Sequence, residues 1–348
     1  MNNKFSFLLA SFLVIFVLMF SACKKPAGSN KSTGSKSSKT SDNKGGKKLL
    51  KFTGGPSGGT FQYFSNGMST YISKHVPGLS LSNQSSAGST ENIRKVDSGR
   101  ADFGIAYSGD TYLARNGRLS GDTKKYTNVR AIAFLYKAPA QLATLKKSGI
   151  KSVADLEGKK VDIGGPGSGA AASAQRYFET VGLWGKFTAS NLGYNKAAQA
   201  IKDGHIDAMW ILAGYPTSAL INLSSTHDII MLDVYKPGVK AGLTKKHPFY
   251  QPLKIPAKTY KGVDKEVDSF FDSALWVVGA HVSEETVYKA MKAVFTDDGL
   301  KYLINVKKTA KQMSVKGGLT GIVTPLHKGA AKFWKEMGLT IPANATAK

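Results

Sequence analysis

Residues 49–60 read LLKFTGGPSGGT and place a short apolar segment directly before a loop rich in glycine. A second stretch, residues 161–172 with the sequence VDIGGPGSGAAA, repeats this order. In each stretch an apolar run of strand length ends in a turn, and residues that favour helix follow. We interpret both as a strand, a glycine loop and the beginning of a helix.

The same alternation extends outward from these two stretches. Strands are predicted at 49–52, 79–82, 101–106, 129–136, 161–164, 206–212 and 274–280. Helices are predicted at 60–75, from 89, at 168–182, at 197–203 and from about 283. Strands separated by helices indicate an α/β fold with a mainly parallel sheet. Because the pattern restarts, we predict two α/β lobes with a ligand cleft and hinge between them: 49–137 with about 275–348, and about 138–274.

The N-terminal residues have the pattern of an export signal. Lys4 precedes an apolar run from 5 to 20, and Ser-Ala-Cys follows at 21–23. This is typical of a lipoprotein signal peptide at 1–22, with Cys23 as the lipidated residue. Residues 23–48 are mostly Lys, Ser, Gly and Thr, so we predict a flexible tether to an extracytoplasmic membrane surface.

The chain carries 48 Lys and Arg against 23 Asp and Glu, a formal charge of +25. Nucleic acid is the usual partner for such an excess. Only six of these cations are Arg, which base recognition favours, and the export signal separates the protein from nucleic acid. We therefore predict solvated lysine surfaces and no nucleic-acid partner. The six His show no metal-binding spacing, so neither metal nor cofactor is expected.

Each glycine loop leads into a helix N-terminus, where unpaired N–H groups and the positive end of the dipole favour an anion. The alternative is that the glycines serve the turns alone. Neither loop fits a nucleotide-binding motif, which argues against ATP or a dinucleotide. In residues 165–169, GPGSG, the serine is one position late for a hydrolase elbow. A serine hydrolase stays the enzymatic alternative.

Several segments together resemble the solute-binding proteins of tripartite ATP-independent periplasmic (TRAP) transporters, in the TAXI subgroup. They are GGPSGGTF at 54–61, GSTENI at 88–93, SGRADFG at 98–104, YSGD at 107–110, NG at 116–117, DLEGK at 155–159, GPGSG at 165–169 and DGHIDA at 203–208. The resemblance implies a type II periplasmic-binding-protein fold, no catalysis, and an ion-gradient-driven membrane permease as partner. It also implies a small ligand such as a glutamate-like amino acid, a dicarboxylate or a related acid.

From the loops and the resemblance we predict the residues that contact the ligand. In lobe 1 they are Gly59, Thr60, Ser89, Thr90, Asn92, Tyr107 and Ser108, with Tyr136 at the hinge. In lobe 2 they are Pro166, Gly167, Ser168, Gly169, Ala170, Trp210 and Tyr215. For Trp210, packing in the core is an equal alternative. For Glu91, an ordinary first-turn role is preferred over pairing with a ligand amine.

The sequence thus predicts a monomeric lipoprotein that captures a small organic anion or amino acid and delivers it to a TRAP permease. A ligand-sensing receptor domain that reports to a signalling protein is the alternative within the binding class.

Overall fold

The computed structural model describes residues 47–346. The predicted signal peptide, Cys23 and nearly all of the predicted tether lie outside the described residues. Between 47 and 346, no helix combines the length and apolar character needed to cross a membrane. Within the same range, no group of three or more His, Cys, Asp or Glu side chains is placed to hold a metal ion.

The chain alternates ten strands with eleven helices in the described residues. The strands β1 to β10 are Lys48–Thr53, Leu79–Gln84, Phe103–Tyr107, Val129–Leu145, Lys160–Asp162, Thr188–Ser190, Ala208–Leu212, Ile229–Leu232, Gln251–Ile255 and Val267–Gly279. The helices α1 to α11 are Thr60–His75, Ser89–Asp97, Ser108–Arg115, Gly169–Thr180, Tyr194–Lys202, Ser218–Thr226, Tyr235–Lys240, Leu243–Lys246, Glu284–Val294, Asp297–Val306 and Lys328–Glu336. Each predicted strand and helix is therefore confirmed, although several ends shift by a few residues, β4 continues to Leu145 instead of ending at 136, and β10 begins at Val267 instead of 274.

The ten strands form one curled sheet in the order β2-β1-β3-β10-β4-β7-β5-β6, with β8 added to β4 and β9 to β10. The prediction of a mainly parallel sheet is wrong. Only the pairs β1/β2, β1/β3, β5/β6 and β5/β7 are parallel. Strands β10 and β4 run antiparallel to each other and to the strands beside them. The long strand β10 lies between β3 and β4 in the sheet but comes from late in the chain. The strand–helix–strand pattern of the earlier residues therefore does not determine its direction.

Strand β4 connects two parts of the sheet. Its residues 129–139 pair with β10, and its residues 140–145 pair with β7 and β8. We call the part around β1, β2 and β3 the first half and the part around β5, β6 and β7 the second half. The pairing of β4 with β10 shifts register twice, which leaves an extra residue in β4 at Ile132 and at Leu135. Such β-bulges bend a strand locally.

Each half has an aromatic core on the buried side chains of its central strands. In the first half, Trp276 packs against Phe52 and Phe103. In the second half, Trp210 packs against Tyr177 and Phe270, and its indole N–H donates to Ser173 Oγ at 2.9 Å. Large aromatic groups bury much apolar area, and the Trp276 indole N–H is buried without an acceptor among the described residues. These clusters stabilise the sheet, and the loops that follow its strands lead into the helix N-termini.

Candidate functional site

A small cavity lies where the helices of the two halves begin. Its walls are uncharged: Pro56, Gly59, Thr60, Phe61, Ala87, Gly88, Ser89, Tyr107, Tyr136, Ser168, Gly169, Ala170, Tyr194, Leu212 and Ala213. The cavity offers about 10 Å³ to the centre of a water molecule, which is room for one water. Residues of both halves therefore leave very little free volume between them at this place.

The first glycine loop follows β1 and leads into α1. Gly58 has a φ of +81°, a conformation that favours glycine, and a side chain there would also meet Asn195. The loop delivers Gly59 and Thr60 to the cavity wall. The Thr60 hydroxyl donates to the carbonyl of Gly214, in the second half, at 3.2 Å. The beginning of α1 thus touches both the cavity and the opposite half.

Helix α2 begins on the other side of the cavity, after Gly88 at φ +126°. The Ser89 hydroxyl lines the cavity and accepts a hydrogen bond from the Tyr107 N–H at 2.9 Å. The next residue, Thr90, donates instead to the carbonyl of Gly167 in the second half. That carbonyl also accepts the Glu91 N–H at 3.1 Å. Helix α2 therefore holds the second glycine loop against the first half.

The second glycine loop leads into α4, whose N-cap is Ser168. Its hydroxyl accepts the Ala171 N–H at 3.0 Å, an ordinary N-cap bond. Gly169 follows in very close contact with the first half. A Cβ at this position would lie 2.5 Å from the Tyr107 ring, 2.6 Å from Asp110 Oδ2 and 2.7 Å from Ser89. Only glycine allows this approach.

Three tyrosines complete the cavity. The hydroxyls of Tyr107 and Tyr194 both donate to the carbonyl of Leu212, from Tyr194 at 2.8 Å. The Tyr136 hydroxyl lies near Thr60 but makes no hydrogen bond of normal geometry, although the residue is fully buried. Burial raises the pKa of all three phenols, so they stay neutral donors. The Tyr136 O–H is a buried donor that lacks an acceptor at the cavity wall.

A buried ionic cluster lies next to the cavity. Arg176 of α4 contacts Asp110 of α3 at 3.0 Å and donates to the Tyr250 hydroxyl at 2.9 Å. Asp272 accepts the Gly109 N–H at 3.1 Å. Burial and the charge of Asp110 raise the pKa of Asp272 to about 8. Burial by itself lowers the pKa of Arg176. The interactions with Tyr250, Asp110 and Asp272 have the larger effect, so the pKa of Arg176 is raised above its usual value.

The cavity brings together eight of the predicted ligand residues. These are Gly59, Thr60, Ser89, Tyr107, Tyr136, Ser168, Gly169 and Ala170. Seven others do not line it. Thr90 and Gly167 belong to the contact between α2 and the second loop, Pro166 directly precedes Gly167 in that loop, and Tyr215 lies beyond Gly214.

Asn92 is fully buried and donates to the carbonyls of Gly54 and Ile105, so it fixes the first loop. Ser108 donates to the carbonyl of Gly321. Trp210 lies in the core of the second half, the packing role that the sequence left open.

Sequence reasoning missed several wall residues, above all Tyr194 and Phe61. Tyr194 is the first residue of α5 and follows Gly193. A glycine before a helix also marks the two glycine loops, so the same sequence signal is present at Tyr194. Aromatic residues near helix starts are common in cores, so the pattern alone offered no reason to prefer this one.

Residues 52–338 match the model of the NMT1-like family. Among solved structures, MatC from Rhodopseudomonas palustris with bound malate is 15% identical and aligns with a TM-score of 0.50, covering 83% of this chain and 96% of that one. The alkanesulfonate-binding protein SsuA from Xanthomonas axonopodis pv. citri bound to MOPS is 14% identical, with a TM-score of 0.48 and coverages of 84% and 92%. The periplasmic aliphatic sulphonate binding protein SsuA from Escherichia coli is 13% identical, with a TM-score of 0.42 and coverages of 76% and 77%. The predicted α/β fold of the periplasmic-binding-protein type is confirmed.

Proposed function

The chain belongs to the NMT1-like family, and we propose that it is an extracytoplasmic solute-binding protein that closes on a small organic anion. The observation that carries the proposal is the convergence of helix N-termini on one uncharged cavity. Helices α1, α2, α4 and α5 begin at wall residues Thr60, Ser89, Gly169 and Tyr194, and Tyr107 is the N-cap of α3.

An anion is the ligand that such an arrangement favours. Each helix N-terminus carries a partial positive charge and unpaired N–H groups. Two of the five helices belong to the second half and three to the first, so an anion in the cavity gains all of its contacts only when the halves meet. A carboxylate supplies both the charge and the acceptors that these groups lack.

Solute entry requires the halves to separate. The cavity now holds space for one water, whereas a carboxylic acid of four or five carbons is several times larger. We propose that the two predicted lobes hinge where β4 and β10 cross between them. A ligand that contacts both halves then shifts the population toward the closed form.

Calorimetric titration tests this function. Protein purified by unfolding and refolding, to remove any retained ligand, is titrated with dicarboxylates, oxo acids, hydroxy acids and amino acids. Malate, the ligand bound in MatC, belongs in this panel. We expect binding by at least one carboxylate, and much weaker binding by its amide or ester. Equal affinity for acid and neutral analogue would contradict the anion site.

Two finer parts of the proposal concern the membrane. A lipid on Cys23 would hold the protein at an extracytoplasmic surface, and a TRAP permease would accept the solute, as the resemblance to TAXI proteins implies. Cys23 is the sole cysteine of the sequence. Cys23→Ser should therefore abolish detergent partitioning and the added lipid mass. Unchanged partitioning and mass would contradict the anchor and leave the binding site unaffected.

The site gives no support to the serine hydrolase alternative. No histidine lines the cavity in the described part of the chain. The Ser168 hydroxyl accepts the backbone N–H of Ala171 and caps α4. A nucleophilic serine needs a base within hydrogen-bond reach, and the walls around Ser168 provide none.

A further inference from the structure

We infer, on the basis of the proposed function, that the cavity selects an organic anion without an ammonium group. An oxo acid or hydroxy acid should bind in preference to the amino acid of the same carbon skeleton. The argument comes from a count of free donors and free acceptors around the cavity, because an ammonium group needs acceptors and a carboxylate needs donors.

Donors are plentiful. The first two backbone N–H groups of α1, α2 and α4 donate to no described residue. The Tyr136 hydroxyl has no partner among the residues from 47 to 346. The oxygens of Ser89 and Ser168 accept backbone N–H groups, and neither hydroxyl hydrogen is donated to a described residue. Every one of these groups can stabilise an anionic or carbonyl oxygen.

The backbone carbonyls are already engaged, and the acceptors that stay available around the cavity are neutral hydroxyl oxygens. The carbonyl of Leu212 accepts the hydroxyls of both Tyr107 and Tyr194. At the cavity edge, the carbonyl of Gly214 accepts two hydroxyls, and that of Gly167 accepts a hydroxyl and an N–H. The carbonyl of Ala213 accepts a side-chain amide at 2.9 Å. A carbonyl oxygen has two lone pairs, so those with two donors have no capacity left.

Nearby carboxylates are also engaged. Glu91 accepts the Ala87 N–H at 2.7 Å and pairs with Lys95. Asp162 accepts the N–H groups of Leu192 and Gly164. Asp110 has one free oxygen but is ion-paired with Arg176, packs against Gly169 and does not line the cavity. A buried ammonium without a carboxylate to balance its charge is strongly disfavoured, and the neutral hydroxyl oxygens of the cavity provide no such charge, so an amino acid would lose affinity in this site.

Matched ligand pairs provide the test. The pairs are 2-oxoglutarate with glutamate, malate with aspartate, and pyruvate with alanine, each measured by calorimetry at one pH. We expect the best oxo or hydroxy acid to bind at least tenfold more tightly than its amino acid partner. An amino acid that binds as tightly as its partner overturns the inference and leaves the solute-binding function standing. If no acid in the panel binds, the proposed function itself fails.

Two substitutions sharpen the test, since Glu91 and Asp110 are the carboxylates closest to the cavity along α2 and α3. In Glu91→Gln the ratio of affinities within each pair should be unchanged. The same is expected for Asp110→Asn, provided that its melting curve shows a folded protein. A selective loss of amino-acid affinity in either variant would reveal an ammonium partner and overturn the inference. If Asp110→Asn does not fold, the affinity ratios of Glu91→Gln and of the parent protein decide between the two outcomes.

Discussion

A guanidinium nitrogen of Arg176 lies 3.0 Å from a carboxylate oxygen of Asp110, with the two side chains 10% and 0% exposed. This ion pair joins α4 in the second half to α3 in the first. Removal of one partner from a buried pair leaves an uncompensated charge, which costs about 3–5 kcal/mol. The pair therefore helps to hold the two halves against each other.

Arg176→Met should lower the free energy of unfolding by about 3 kcal/mol or more. The carboxylate of Asp110 would stay buried without its cation, and the Tyr250 hydroxyl would lose a donor. Urea denaturation measures the change. Lys254→Met is the control, because its pair with Glu266 is exposed and should contribute at most about 1 kcal/mol. Similar losses in the two variants would contradict the role of the buried pair.

Asp272 should make stability fall as the pH rises. Its folded pKa of about 8 lies above the unfolded value of about 3.9, so the native state binds the proton more tightly. The contribution is complete below the unfolded pKa and is lost as the pH approaches 8, by up to about 1.4 kcal/mol per unit.

Asp272→Asn, which resembles the protonated form, should remove this slope. Urea titrations of both proteins between pH 5 and 9 give the difference curve, which cancels the other titrating groups. A flat difference would show that Asp272 is ionised throughout this range.

Removal of the free hydroxyl of Tyr136 should have opposite effects on the stability of the protein and on its affinity for the ligand. In Tyr136→Phe the empty protein should be as stable as the parent or more stable by about 1 kcal/mol, because an unsatisfied buried group is removed. Affinity for the best acid should fall about tenfold through loss of one hydrogen bond.

Tyr177→Phe is the matched control for Tyr136→Phe. The Tyr177 hydroxyl is also buried without a partner in the described structure, but it does not line the cavity. Thermal melts and calorimetry should show the same stability change and no loss of affinity. Equal affinities in both variants would mean that Tyr136 does not contact the ligand.

Ser168→Ala removes a cap of α4 and a potential donor to the ligand. We expect a loss of about 1 kcal/mol in stability together with a tenfold or greater loss of affinity for the acid. Ser283 caps α9 in the same way, accepting the Thr286 N–H. Ser283→Ala should show only the loss of stability in parallel melts and titrations. If both variants bind alike, Ser168 acts as a cap alone.

Gly169→Ala should prevent closure. The new methyl group would meet Tyr107, Asp110 and Ser89 in the closed form, whereas separated halves leave room for it. Small-angle scattering should show that ligand contracts the parent and leaves this variant extended, with affinity strongly reduced. Gly165→Ala is the control, since nothing in the described structure lies near its added methyl group. Contraction of Gly169→Ala to the same radius would refute the tight contact at this position.

The sequence predicted the parts of the site that depend on local chemistry. Glycine loops before Thr60 and Gly169 were recognisable because turns and helix starts have their own residue preferences. The sequence does not show that Trp210 belongs to the core and Tyr194 to the cavity wall. Both are large aromatic residues, and only the tertiary fold places Tyr194 at the cavity. The antiparallel direction of β10 was equally inaccessible, because its partners β3 and β4 lie more than 120 positions earlier in the chain.

The bulge at Leu135 lies directly beside Tyr136, so the bending point of β4 and a wall of the cavity occupy adjacent positions. Substitutions here are expected to change the ease of opening together with the contact to solute. The glycine loops are separate from the crossing strands, yet Gly58 and Gly169 lie against the opposite half and also limit closure. Positions such as Gly165, where an added methyl group would meet nothing in the described structure, can vary without altering how the halves move. An engineer seeking a new specificity would therefore begin at the open loop positions and leave Gly58, Gly169 and the stretch around Tyr136 unchanged.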